Sequence, residues 1–157
     1  MTITVERTVD YELVRKIVTH PKIYCNIADD GSPAAADWRP IESDAVVYLL
    51  VLSDQQPAGV FTLVPQNRVC YEVHTCLLPD IWGPDALIAS GKAMRWMFAN
   101  TPCERIMTNV PDYNRIALRF ARRSGMTYFG CNTKSYLHRG VLHDQIMLGV
   151  SKEEVCR

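Results

Sequence analysis

The sequence predicts an α/β (α+β) domain built around one mixed β-sheet flanked by helices, and three observations carry that prediction. Three strand-like runs, 45–52, 58–64 and 69–78, follow one another through the short turns SDQQP and PQNR, which makes an antiparallel meander. The third run is followed by a helical pattern and then by another strand, 105–110. A strand, a helix and a strand close as a right-handed crossover with the two strands parallel. Finally, alternating runs at 126–138 and 141–150 meet at Gly140 as a last hairpin.

Each element has a local reason. Residues 2–7 (TITVER) alternate and are β-branched, the composition of a short strand. Residues 9–20 place Leu13, Val14, Ile17 and Val18 on one helical face, with Asp10 as N-cap and Pro21 as the stop. Residues 22–28 suit a helical turn, and DDGSPAAADWRP reads as a long irregular connection covering a site. The run 45–52 (AVVYLLVL) is continuously apolar, as a strand buried on both faces would be. In 69–78, polar Glu72 and His74 recur at every second place, the period of a strand. Pro79 breaks that run, and Trp82, Gly83 and Pro84 turn the chain into a helix of about 85–100 with Asp85 as its expected N-cap. Ala86, Ala89, Ala93, Met94, Met97 and Phe98 form its apolar stripe. Asn114 caps a second helix, RIALRFARR, which Gly125 stops in the C′ place. The tail SKEEVCR is polar, and there is no internal repeat.

Length and composition bound the rest. At 157 residues the chain is read as a single domain, 1–157, and 48% hydrophobic against 22% charged residues argues against disorder. The longest apolar run, 45–52, is too short to span a membrane. The first residues show no signal-peptide core, so a cytoplasmic protein with no membrane partner is expected. The six cysteines never approach CxxC spacing, so they are read as small thiols, and neither disulfides nor a metal site is expected. Net charge is zero but uneven. Residues 1–54 carry nine acids and five bases, whereas 92–139 carry nine bases against Glu104 and Asp112. The second half is therefore able to attract an anionic ligand.

The element order, with YEVHTCLLPDIWG, the helix after it, and RIMTNVPDYNRIALRFARRSGMTYFG, resembles the GNAT superfamily of acyl-CoA-dependent N-acetyltransferases over nearly the whole chain. The runs YEVHTCLLP and NRIALRFARRSG are similar to phage-encoded members. The resemblance implies acetyl-CoA as co-substrate and an amine acceptor, a small molecule or a protein. It implies backbone contacts to the cofactor from Cys76, Leu77 and Leu78, pyrophosphate held by amides around Trp82, Gly83, Asp85 and Ala86, and a contact from Asn114 to the pantetheine arm. Glu72, with His74, would take the amine's proton. The alternative for that pair is the polar face of a half-exposed strand.

The chain also departs from the family. Trp82 stands where the cofactor loop carries a basic residue, Pro84 has no N–H to give, and Asp85 replaces a glycine. A carboxylate beside pyrophosphate would repel it by roughly 2–4 kcal/mol at an effective dielectric near 20, unless Asp85 turns away as a cap. Ala121 falls where the family's acid tyrosine lies, leaving Tyr128 or Tyr136 as substitutes. Arg115, Arg119 and Arg122 form a basic stripe. It is either a solvated helix face or a contact for an acidic protein, a nucleic acid or the cofactor's 3′-phosphate; without interleaved aromatics, nucleic acid is the disfavoured partner. Trp38 is a candidate for lining a substrate groove, and Trp96 is read as packing. Two functions follow: an N-acetyltransferase working by direct attack, or a GNAT-like scaffold without catalysis, such as a phage virion or host-directed accessory protein.

Overall fold

The alternating and β-branched runs pair into a single seven-stranded sheet in the computed structural model, which describes residues 1–157. The strands are β1 (Ile3–Thr8), β2 (Val47–Ser53), β3 (Gln56–Pro65), β4 (Cys70–Leu77), β5 (Arg105–Pro111), β6 (Thr127–His138) and β7 (Val141–Ser151). The helices are α1 (Tyr11–Val18), α2 (Pro21–Ile27), α3 (Pro84–Asn100), α4 (Arg115–Arg123) and the short α5 (Lys152–Val155). The sheet order is β1-β2-β3-β4-β5-β7-β6, with β4 and β5 the parallel pair. The mixed sheet of the sequence reading is therefore what forms.

Two hydrophobic layers cover the sheet because strand side chains alternate between its faces. One layer packs Ala89, Ala93 and Met97 of α3 against Leu49, Phe61, Val73 and Leu77. The small alanines let the helix axis lie close to the strands. The other packs Val14, Ile17 and Ile23 of α1 and α2 against Tyr48, Leu50, Val60 and Cys76.

The expected caps form at α1 and α4. Asp10 accepts from the Leu13 amide at 3.1 Å, and Asn114 from the Ala117 amide at 3.1 Å. Gly125, at φ 97°, closes α4, with its own amide donating to Arg122 O and that of Met126 to Ala121 O, the Schellman pattern. At α3 the expectation is corrected. The N-cap is Gly83, not Asp85, and Asp85 lies in the first turn. Gly83 takes φ 99°, which a side chain would resist, and Pro84 supplies a preset φ at the first helical position. The polar tail also gains a turn of helix, capped where Ser151 accepts from the Glu154 amide.

The feature that positions the site is a fork. β4 and β5 pair over Cys70–Arg105, Tyr71–Ile106 and Glu72–Met107 and then part. Beyond that point β4 follows β3, in register as far as Leu77 opposite Gly59, while β5 follows β7 as far as Pro111. Gly59 permits the close approach of β3: a Cβ there would lie 2.6 Å from Leu77 Cδ2 and 2.8 Å from Cys76 O.

Candidate functional site

At the base of the fork, side chains take over from the ladder. Thr108 Oγ1 donates to Val73 O at 3.2 Å, and Asn109 Nδ2 donates to Glu72 Oε2 at 2.6 Å. The other carboxylate oxygen of Glu72 meets His74 Nε2 at 2.9 Å. Strand period two places Glu72 and His74 on one face. Glu72 keeps 18% of its side chain exposed and His74 54%. The His74 contact holds the Glu72 carboxyl below the usual carboxylate range, the Asn109 bond adds to that, and burial works against both. Glu72 is thus a fixed anion whose two oxygens are occupied. It orients His74 and leaves the second ring nitrogen free.

Higher in the fork the edge of β4 that faces β5 has no partner strand. The Leu78 amide donates to Ala58 O at 2.8 Å, and an antiparallel ladder alternates its bonding edge. Cys76 and Leu78 therefore turn their backbone groups toward β3, whereas Thr75 and Leu77 turn theirs into the gap. Of the three residues expected to supply backbone contacts, only Leu77 faces the gap, and Thr75 joins it. The Cys76 thiol is buried in the α1–α2 layer, and burial pushes it up to about 12. It has no role as a nucleophile. The Leu77 carbonyl already accepts from Trp82 Nε1 at 2.9 Å.

A cavity of about 790 Å³ runs through the fork, lined from both faces of the sheet, within the size range of small-molecule sites. On the α1–α2 side its wall includes Glu72, His74, Trp38, Ile41 and Tyr48. On the α3–α4 side it includes Trp82, Gly83, Ala86, Asn114 and Ala121, and Asp85 is not part of the lining. No side chain caps the start of α3, so the first-turn amides of Asp85 and Ala86 lack intrahelical acceptors. Arg115, Arg119 and Arg123 also line the cavity. The basic stripe thus runs through Arg123 at i+8, and Arg122 stays outside it. The ion pairs of the structure are Arg15–Glu12, His74–Glu72 and His143–Asp112, so the α4 arginines carry unpaired charge.

The remaining candidates fall as follows. Ala121 is the buried residue of α4 itself. Tyr136 lines the cavity and donates to Ile27 O at 3.3 Å, with burial pushing its hydroxyl well above the usual range. Tyr128 is 59% exposed and outside the cavity. Trp96 packs against the α3 layer. His143 pairs with Asp112 at 3.1 Å beside Tyr113 and His138.

No family model and no curated protein matches the sequence. Solved structures do. A spermidine N-acetyltransferase from Vibrio cholerae in complex with CoA and spermine superposes with a TM-score of 0.80 at 13% identity, over 99% of this chain and 98% of that one. The chain has the GNAT fold. A chimera of the same Vibrio cholerae enzyme with hSSAT gives a TM-score of 0.82 at 13% identity, covering 100% and 99% of the two chains. An F149G mutant of that enzyme gives 0.77 at 16% identity, covering 99% and 96%. In this chain the base of the β4–β5 fork is built from Glu72, His74, Thr108 and Asn109. Sequence reasoning missed Thr108 and Asn109. Their signal was two adjacent polar residues inside the strand RIMTNVP.

Proposed function

We propose that the chain binds an acyl-CoA, acetyl-CoA first, in the β4–β5 fork and transfers the acyl group to an amine by direct attack. The observation that carries this reading is the cavity through the sheet, with a histidine–carboxylate pair on one face and an uncapped helix start on the other. The residues present fit the co-substrate. Thr75 and Leu77 offer strand-edge groups with which a pantetheine amide would pair. The α3 amides and the unpaired Arg119 and Arg123 supply the positive potential for phosphates that Trp82 does not. The neighbour of known content holds CoA and spermine.

In this reading the acceptor amine enters from the α1–α2 face. The free ring nitrogen of His74 takes its proton, and Glu72 holds the resulting imidazolium in place. The amine nitrogen bonds to the acyl carbon, and a gap-facing amide such as that of Leu77 stabilises the developing oxyanion. The carbon–sulfur bond breaks, and the thiolate leaves without an acid from Ala121, as thiolates are able to do. Titration calorimetry with acetyl-CoA and CoA tests the proposal. Micromolar binding is expected, and no binding at millimolar cofactor would end it. The scaffold reading draws on two observations, Ala121 and the Trp82 bond that caps the Leu77 carbonyl; a cofactor-blind protein with the fork intact would favour it.

A further inference from the structure

The α1–α2 side of the cavity has a charge pattern that speaks to the acceptor. Its wall is apolar and aromatic, with Trp38, Ile41 and Tyr48 lining the same cavity as His74. Only one carboxylate lines the whole cavity, Glu72, and both its oxygens are occupied by His74 and Asn109. The one charged side chain that α2 contributes to the lining is a cation, Lys22, and it has no ion-pair partner.

The acids of the connection between α2 and β2 do not change this. Asp29 Oδ1 accepts from the Gly31 amide and Ser32 Oγ, and the two oxygens of Asp30 accept from the Arg139 and Gly140 amides. Asp37, Glu42 and Asp44 are exposed and lie outside the lining; burial is the main cause that raises the Tyr48 hydroxyl above its usual range, and the Glu42 charge adds to it. A linear polyamine that gives up one proton to react keeps at least one further ammonium. An aromatic wall attracts an ammonium, but here each one would enter a cavity whose free charges are all positive.

We infer that the acceptor is an amine that also bears a carboxylate and an apolar or aromatic group, the chemistry of a hydrophobic α-amino acid. Lys22 pairs with the carboxylate, the Trp38–Ile41–Tyr48 wall takes the side group, and the amine lies toward His74. The inference rests on the acyl-transfer reading for the chemistry, but not for the binding it predicts.

Calorimetry separates the two. L-phenylalanine, phenethylamine and spermidine are titrated into the full chain and its Lys22→Glu variant, with and without saturating CoA. Phenylalanine is expected to bind at least tenfold tighter than phenethylamine and tighter than spermidine. Lys22→Glu is expected to cancel or reverse the phenylalanine advantage, because the new carboxylate repels the amino acid's carboxylate and attracts the ammonium of phenethylamine. Spermidine binding as tightly as phenylalanine, no phenylalanine binding under either condition, or an unchanged ratio in Lys22→Glu would overturn the assignment. Failure of CoA to bind while phenylalanine binds would sink acyl transfer alone. CoA binding without phenylalanine binding would sink the acceptor class alone.

Discussion

The two arms of the loop-bearing segment, β4 and the turn that follows it, are built on different principles. In β4, side chains are fixed by side chains: Asn109 holds one oxygen of Glu72, His74 holds the other, and Thr108 closes the last ladder carbonyl. In the turn from Leu78 to Ala86 the offering is backbone. Gly83 adopts a left-handed φ, Pro84 starts the helix, and no side chain caps it. The strand is therefore sensitive to changes of functional group. The turn is sensitive to changes of conformation and tolerates changes of charge.

The largest effect is expected where a functional group is lost. His74→Ala should lower kcat by about 10²- to 10⁴-fold and leave acetyl-CoA affinity within twofold, as rates and cofactor titration together would report. An unchanged kcat would reduce the pair to a polar strand face. Gly59→Ala comes next, because its Cβ would strike the Leu77 side chain and the Cys76 carbonyl. A loss of about 1–3 kcal/mol is expected in denaturant unfolding.

Glu72 also predicts a pH dependence. The His74 contact holds its carboxyl in the folded state below the ordinary value of 4.5. The stability it contributes is thus present above that value and lost as pH falls through the lowered folded one. Glu72→Gln should flatten the acid limb of the stability curve below about pH 4.5, and an unaltered limb would show the pair to be energetically idle.

Smaller effects probe the turn. Trp82→Phe frees the Leu77 carbonyl for a ligand, and one net hydrogen bond of about 1 kcal/mol corresponds to CoA binding roughly fivefold tighter. Asp85→Asn should change CoA affinity by less than twofold, since Asp85 is outside the cavity lining. A gain of tenfold or more would mean that its carboxylate does oppose the phosphates.

Much of the fold was legible because periodicity and punctuation agreed. Alternation marked β1, β4 and β6, Pro21 and Gly125 ended helices, and Asp10 and Asn114 announced caps. Glu72 and His74 were legible as a pair on one face. What escaped depends on tertiary pairing. The backbone contacts were expected from consecutive residues, yet which edge of β4 a residue presents is set by the β3 register, and that selects Thr75 and Leu77. Asp85 looked like a cap because a carboxylate is a good one. A glycine at φ 99° followed by proline starts the same helix without a side chain. Arg123 replaced Arg122 because its position on the α4 helix turns it toward the cavity.

The central claim is that the open edge of β4 receives the co-substrate, and residue-resolved amide hydrogen exchange with and without CoA tests it most directly. Thr75 and Leu77 should gain protection when CoA is added, while Cys76 and Leu78, whose amides face β3, should not change. Protection that appears only on residues outside β4, or equally on all four of these amides, would contradict it.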